Sequence, residues 1–128
     1  MLGLFLSFPI LLASFLADET ITGYGGAGAV WTLTELDSAP FPARATLVFE
    51  DGGSVSGQAP CNRFQAQQSV PYPWIEVGPI MATKMACPDL EAEGIYLDAL
   101  QEMTLAEVSG PVLILSNDAG REMVFRAD

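Results

Sequence analysis

Histidine is absent from this 128-residue chain, which also has only two cysteines. A structural zinc ion takes four ligands, commonly Cys and His at short spacings, so no metal site is expected. A serine or cysteine nucleophile would lack the histidine that usually activates it, and the chain has no G-x-S-x-G motif. We therefore predict that the protein is not an enzyme and has no catalytic residues, metal or cofactor.

Positive charge is also scarce. Five Lys and Arg residues stand against 16 Asp and Glu residues, which gives a formal net charge of −11. Such a chain repels phosphate backbones, so nucleic acid is excluded as a partner. Half of the residues are hydrophobic, which suffices for one core, and the length fits a single domain. The excess of acidic residues is expected to keep this domain soluble.

Charges are missing altogether from residues 2–17, which are mostly Leu, Phe and Ile before polarity rises at Asp18. This pattern is typical of the apolar part of a secretory signal peptide. Residues 1–17 are the predicted signal, although cleavage after Ala29 remains an alternative. An uncleaved membrane anchor is the competing interpretation, but this run is shorter than the roughly 20 residues that span a bilayer.

Export determines how the two cysteines are interpreted. In an oxidising compartment two cysteines of a small domain usually pair, so we predict a disulfide between Cys61 and Cys87, with free buried thiols as the alternative. Their separation excludes a C-x-x-C redox motif. The mature protein, whose folded domain is predicted to span residues 30–127, is expected to be periplasmic or extracellular, without stable membrane insertion after signal cleavage.

Alternating apolar residues predict strands over most of the remaining chain. Residues 30–36 and two stretches within 74–85 fit this pattern, and residues 45–57 indicate a hairpin around Asp51-Gly52-Gly53. Three more strands follow between residues 105 and 126, the last two joined by a turn-forming cluster at residues 117–120.

The pattern changes to helical spacing after Cys87. Pro88 suits the first turn of a helix, acidic residues follow it, and apolar residues then recur every three or four positions, which predicts an amphipathic helix from about Pro88 to Met103. Many short strands with one late helix predict an α+β fold, namely a strongly bent antiparallel sheet or cracked β-barrel packed against that helix.

Several motifs in this order resemble the META domain family of HslJ-like heat-shock and envelope proteins. The most specific are "CNRF" at 61–64 and "ATKMAC" at 82–87; "LVFEDGGSVSG" at 47–57 and "VLILSNDAGREMVFR" at 112–126 accompany them. The resemblance covers about residues 30–127. It implies a compact α+β domain that is exported or anchored at the cell envelope, associated with the envelope or with stress, and without a defined catalytic site.

Two non-enzymatic functions follow from these expectations. The first is an interaction module for an unknown envelope protein, monomeric by itself. The second is a carrier or sensor of a lipid or small apolar molecule, held in a cavity between sheet and helix. Methionine adapts easily to ligands, so an apolar pocket is a candidate, although the same side chains would serve equally in a core. Its predicted members are Phe64, Trp74, Met81, Met85 and Met103.

The polar residues near the cysteines allow two interpretations each. Asn62 is expected to hold its loop by bonds to neighbouring backbone rather than to contact a ligand. Arg63 and Lys84 could form a small anion site, but salt bridges to the many carboxylates are the simpler expectation. Glu91 and Glu93 could be an acid/base pair, yet the helix dipole alone accounts for carboxylates at a helix start.

Overall fold

The structure, a computed structural model, describes residues 28–127, which form nine strands and one helix. The signal-peptide prediction for residues 1–17 lies outside the described residues. In chain order the elements are β1 Trp31–Leu36, β2 Ala39–Pro40, β3 Thr46–Glu50, β4 Ser54–Gln58, β5 Arg63–Gln67, β6 Met81–Ala82, α1 Leu90–Glu102, β7 Leu105–Ser109, β8 Val112–Ser116 and β9 Glu122–Ala127.

The nine strands form one antiparallel sheet that is not closed. Its order is β6-β5-β4-β3-β1-β9-β8-β7, with β2 paired to β1. The two halves are joined where Trp31 pairs with Leu47 and Thr32 with Thr46, and β1 has an irregularity in register against β9 between Leu33 and Glu35. Such irregularities increase local twist and bending. The predicted α+β class, with one helix and an antiparallel sheet, is confirmed; of the two predicted forms, a bent sheet or a cracked barrel, the observed sheet is not closed.

The predicted turns are present where the sequence placed them. Gly52 and Gly53 have φ of 91° and 87° between β3 and β4, values that an L side chain rarely adopts. Between β8 and β9, the Asn117 carboxamide oxygen accepts hydrogen bonds from the backbone N–H groups of Ala119 and Arg121. Both hairpins therefore form from local chemistry, as short-range signals predict.

The core lies between the inner face of the sheet and α1, and Tyr96 is at its centre. This side chain is fully buried, packs against the rings of Phe41, Phe64 and Phe125, and donates its hydroxyl to the carbonyl of Thr46 at 2.8 Å. Burial raises the pKa of Tyr96 above its ordinary value, because desolvation penalises the phenolate.

Among residues 28–127, no helix is long and apolar enough to cross a bilayer.

The segment between β5 and β6 crosses the gap between the two ends of the sheet. At one end it pairs with β7, where Trp74 bridges Leu105 and Ala106 donates its N–H to the carbonyl of Pro73. At the other end Gly78 donates to the carbonyl of Gln67 in β5. The outer edge of β7 is thus partly occupied by the chain itself, whereas β6 ends the strand order on the other side.

Candidate functional site

A disulfide joins the residue before Asn62 to the residue just ahead of the helix. Cys61 and Cys87 are bonded, with 5.7 Å between their Cα atoms, and Cys61 is buried. The predicted pairing is confirmed. The bond fixes the loop that leads into β5 against the chain that leads into α1.

Glu93, in the first turn of α1, is a buried carboxylate that faces the same loop. Its Oε1 accepts hydrogen bonds from the backbone N–H groups of Cys61 at 2.9 Å and Asn62 at 2.7 Å. Its Oε2 accepts from the Asn62 side-chain amide at 2.7 Å. Hydrogen bonds to a charged acceptor are about twice as strong as neutral ones, so these three bonds hold the loop firmly to the helix.

Asn62 extends this network to a third segment. Its side-chain amide also donates to the carbonyl of Met85, and its carboxamide oxygen accepts from the Thr83 hydroxyl at 2.8 Å and the Met85 N–H at 2.7 Å. Both donors and both acceptor sites of the amide are therefore used. The predicted bonds to neighbouring backbone are replaced by bonds to residues more than 20 positions away. We call Asn62, Glu93 and the disulfide the polar clamp.

The clamp holds an exposed stretch that we call the methionine segment, residues 80–86. Met81 and Met85 are 65% and 64% exposed, the largest exposed fractions among the large hydrophobic side chains of the described residues. Isolated exposed apolar residues are normal on protein surfaces, but these two lie on a segment that is held at two points. Met81 pairs with Gln65 in β5, and the backbone of Met85 is hydrogen-bonded to the buried Asn62 side chain. The segment thus presents apolar side chains in a defined conformation.

One groove lies on the sheet side of the methionine segment, with a volume of about 710 Å³. A row of paired residues across β3 to β6 forms part of its wall, since Val48 pairs with Ser56, Ser56 with Gln65 and Gln65 with Met81. Arg63 is its one charged lining residue. The lining of this groove therefore mixes polar and apolar side chains and includes one positive charge.

A second groove lies between the methionine segment and α1, with a volume of about 470 Å³. Its helix wall carries Leu90, Leu97 and Asp98, while Ile80 and Met85 contribute apolar surface from the segment itself. Ala82 and Thr83 line both grooves. The short strand β6 therefore separates the two grooves.

The structure distributes the five predicted pocket residues over different environments. Phe64 and Met103 are buried in the core, Met81 lines the sheet-side groove and Met85 lines the helix-side groove. Trp74 is 56% exposed and pairs with β7 through its backbone. Phe64 and Met81 are the two that line a common groove.

The charged residues near the cysteines differ in burial and in pairing. Glu91 is exposed, whereas Glu93 is buried, so the two carboxylates of the first turn occupy different environments. Arg63 and Lys84 are exposed, and the ion pairs between residues 28–127 do not include either of them. The sequence did not predict that Glu93 accepts hydrogen bonds from Cys61 and Asn62. The one signal for this contact is that the predicted disulfide brings the "CNRF" loop close to the start of the helix, where Glu93 lies.

Ion pairing is concentrated at the opposite end of the helix. Arg121 contacts Asp37 at 2.8 Å and Glu102 at 3.2 Å, and Glu122 donates its N–H to Asp37. The hydrogen bond from Arg121, followed by that from Glu122, lowers the pKa of Asp37, and the bond to Asp37 raises the pKa of Arg121. This cluster ties the turn between β1 and β2 to the end of α1.

The chemistry available at the clamp is that of binding and support. Every oxygen of the Glu93 carboxylate already accepts a hydrogen bond, and the part of the chain described here has no group of three or more His, Cys, Asp or Glu residues placed to hold a metal ion. The accessible surface beside the clamp consists of the exposed methionine segment and its two grooves.

An open antiparallel sheet packed against one helix, with a disulfide joining the loop before β5 to the chain before α1, defines a small α+β domain. Residues 26–128 match the model of the META domain. The chain belongs to the META domain family, as its motifs indicated.

Solved structures of the same fold include two bacterial proteins. A protein from Burkholderia xenovorans is 24% identical, with 84% of this chain and 86% of that chain covered and a TM-score of 0.65. A DUF4847 family protein from Bacteroides vulgatus is 11% identical, with 79% and 93% covered and a TM-score of 0.61. No protein with a curated description matches this chain significantly. These similarities establish the fold.

Proposed function

We propose that this protein is an exported, non-enzymatic META domain that acts as an interaction module at the cell envelope or in a stress response there. The observation that carries the proposal is the methionine segment, on which Met81 and Met85 are exposed. The backbone of Met81 pairs with Gln65 in β5, and that of Met85 is hydrogen-bonded to the side chain of the buried Asn62. Flexible thioethers adapt to varied partner surfaces. A fixed backbone lowers the entropy that binding would otherwise cost.

Export is supported by the disulfide and by the composition of residues 2–17. Disulfides persist in oxidising compartments and are rare in the cytosol, and the pair Cys61 and Cys87 closes a loop with a sequence separation of 26. Fractionation of the host cell with an antibody to the protein tests this part of the proposal. Recovery of the protein in the cytosol with reduced cysteines would contradict it.

Site-specific photo-crosslinking in the host tests the interaction itself. A photoreactive amino acid placed at Met81 or Met85 should give the same discrete adduct with another envelope protein, because both positions lie on the proposed surface. The matched control is Asp118, which is exposed in the turn between β8 and β9. Adducts that are absent, or equally abundant from position 118, would contradict the proposed module.

A second candidate function is a carrier or sensor of a small apolar molecule. The observation in its favour is the helix-side groove, whose volume of about 470 Å³ falls within the usual range of small-molecule sites. Native mass spectrometry of protein purified from its host without detergent measures this directly. A lipid-sized adduct that is lost on Leu97→Trp substitution, which would fill the groove, supports the carrier function; a clean monomer mass argues against it.

A further inference from the structure

We propose that the outer edge of β6 accepts an extended, basic segment of a partner protein as an additional strand of the sheet. This inference rests on the proposed interaction function and specifies its site and the chemistry of its partner. Strand addition to an open edge is a common form of peptide recognition, in which backbone hydrogen bonds provide affinity and alternate side chains provide specificity.

The register of β6 shows which backbone groups face outward. Phe64 pairs with Ala82 and Gln65 with Met81, and Thr83 donates its N–H to the carbonyl of Arg63 at 3.1 Å. Hydrogen-bonded and non-hydrogen-bonded pairs alternate in an antiparallel ladder. Ala82 therefore belongs to a non-hydrogen-bonded pair, and its N–H and C=O point away from β5 toward the edge.

The edge is short because the chain limits it on both sides. Pro79 precedes it and lacks an N–H, while the N–H of Met85 is already bonded to Asn62. The available edge is thus residues 80–84, enough for one short strand. Long free edges promote aggregation, whereas a short edge restricts pairing to a specific partner.

The two grooves lie where the side chains of an added strand would project. Successive side chains of a strand point to opposite faces of a sheet, and β6 separates the sheet-side groove from the helix-side groove through Ala82 and Thr83, which line both. An added strand would therefore place alternate side chains over the Met81 side and over the α1 side.

Charge identifies the kind of segment that fits. Lys84, in the methionine segment, lines the helix-side groove and Arg63, in β5, the sheet-side groove, so the positive charges lie on the sheet half of the edge. The α1 half is acidic, because Asp98 lines the helix-side groove and α1 contains no Lys or Arg. The whole chain has a formal charge of −11. A second copy of this chain would bring the same excess of negative charge to the edge, and like charges in contact are unfavourable. Complementarity thus favours a partner strand with Lys or Arg facing α1 and aliphatic residues between them.

The opposite end of the sheet does not compete for such a strand. Backbone atoms of Pro73, Trp74 and Ile75 already pair with the chain between Thr104 and Ala106. The two-residue strand β2 pairs with β1 and is not adjoined by either of the two grooves described above. Within residues 28–127, the combination of an edge and flanking grooves is found at β6.

The test is a two-dimensional NMR titration of the ¹⁵N-labelled, oxidised protein with a capped peptide of alternating lysine and valine, six residues long. We expect saturable shifts centred on Ile80 to Lys84 and slower hydrogen exchange at the Ala82 amide. The matching peptide of alternating glutamate and valine should not bind. Shifts that are scattered over the surface, or equal for both peptides, would overturn the proposal.

Two variants separate the backbone from the charge contribution. Ala82→Pro removes the outward N–H without removing a bond to β5, and is expected to weaken binding at least about tenfold, the effect of losing one well-formed hydrogen bond. Ala82→Ser keeps the N–H and is its control. Asp98 is exposed, so the Asp98→Asn variant should fold normally. It should bind the lysine peptide more weakly than the parent protein does. Asp118→Asn, at an exposed site far from the edge of β6 in the chain, should not change the affinity. Unchanged affinity in Asp98→Asn and Ala82→Pro would overturn the proposal.

The outcome can be separated from that of the general proposal. If crosslinks from Met85 form in the host but persist unchanged in the Ala82→Pro variant and the lysine peptide gives no localised shifts, the protein is an interaction module that does not add a strand at β6. If crosslinks from Met85 are absent altogether, the interaction function itself fails.

Discussion

Glu93 shows how a single buried residue can determine the arrangement of three chain segments. Its carboxylate accepts bonds from Cys61, from Asn62 and, through the Asn62 side chain, is linked to Met85. A buried carboxylate without partners would be strongly unfavourable. Here two backbone N–H groups of the loop and the Asn62 side-chain amide donate to the carboxylate, so the buried acceptor and its buried donors satisfy one another.

Replacement of Glu93 by Ala should therefore destabilise the domain. Three donors would lose their acceptor in a buried site, and we expect the free energy of unfolding to fall by about 3 kcal/mol. Urea unfolding of the oxidised protein measures this. Glu91→Ala is the control, since it removes an exposed carboxylate from the same helical turn and should cost only about 0.5 kcal/mol through the helix dipole. Equal losses in both variants would show that the dipole, not the clamp, accounts for Glu93.

Sequence reasoning reached the right residues at this scale but not their contacts. Carboxylates at a helix start are explained by the dipole, and that explanation holds for Glu91 as it stands. It hid the second role of Glu93, because the partners Cys61 and Asn62 lie more than 30 positions earlier in the chain. Only the packing of α1 onto the loop brings them together.

The elements that the sequence predicted best are those with strong local signals. The helix, the hairpin of β3 and β4 and the hairpin of β8 and β9 were all predicted close to their observed bounds. Strand β5, with the sequence "RFQAQ", was missed because Phe64 is its one large apolar residue. The apolar stretches within residues 74–85 gave only the two-residue β6 and a single bridge at Trp74, because tertiary pairing, not local pattern, decided their extent.

Gly57 in β4 is needed for the close approach of two neighbouring strands. A side chain there would collide with the carbonyl oxygen of Thr46 and lie 2.9 Å from the ring of Phe64. Gly57→Ala should lower the free energy of unfolding by roughly 3 kcal/mol or more, because backbone and core must both move. Gly94→Ala is the contrasting variant: nothing lies within 4 Å of its added Cβ, so the helix should gain about 1 kcal/mol. Thermal unfolding of both variants measures this, and a Gly57→Ala protein as stable as the parent would contradict the predicted collision.

The disulfide and the hydrogen bonds of the clamp connect the same elements. By chain entropy, a bond closing this separation of 26 residues contributes about 3.5 kcal/mol. The double variant with Ser at Cys61 and Cys87 should therefore unfold at lower urea concentration while keeping its fold, because Glu93 and Asn62 still join β5 to α1. An unchanged unfolding midpoint would mean that the disulfide constrains the unfolded chain little. Loss of the native NMR spectrum would mean that the hydrogen bonds cannot hold the loop alone.

The whole molecule combines a strong excess of negative charge with few compensating ion pairs. The formal charge is −11, and the ion pairs among residues 28–127 are those of Arg121 with Asp37 and Glu102. Self-repulsion of this kind opposes the compact state. In the proposed recognition at the edge of β6, the same charge disfavours pairing with a second copy of the chain and favours a basic strand.

Salt should therefore act in opposite directions on folding and on recognition. Screening lengths shorten from about 20 Å to about 6 Å between roughly 20 and 300 mM NaCl, so the urea midpoint of the protein alone should rise with salt as repulsion is screened. Over the same range the affinity for the lysine and valine peptide should fall, because its attraction to the Asp98 side of the edge is screened as well. Glu107 in β7 is exposed, as is Asp98 in α1. A double variant, Asp98→Asn with Glu107→Gln, removes two of the repelling charges and should show a smaller response in the urea midpoint. A midpoint that falls with salt would instead mean that the pairs of Arg121 outweigh the net repulsion.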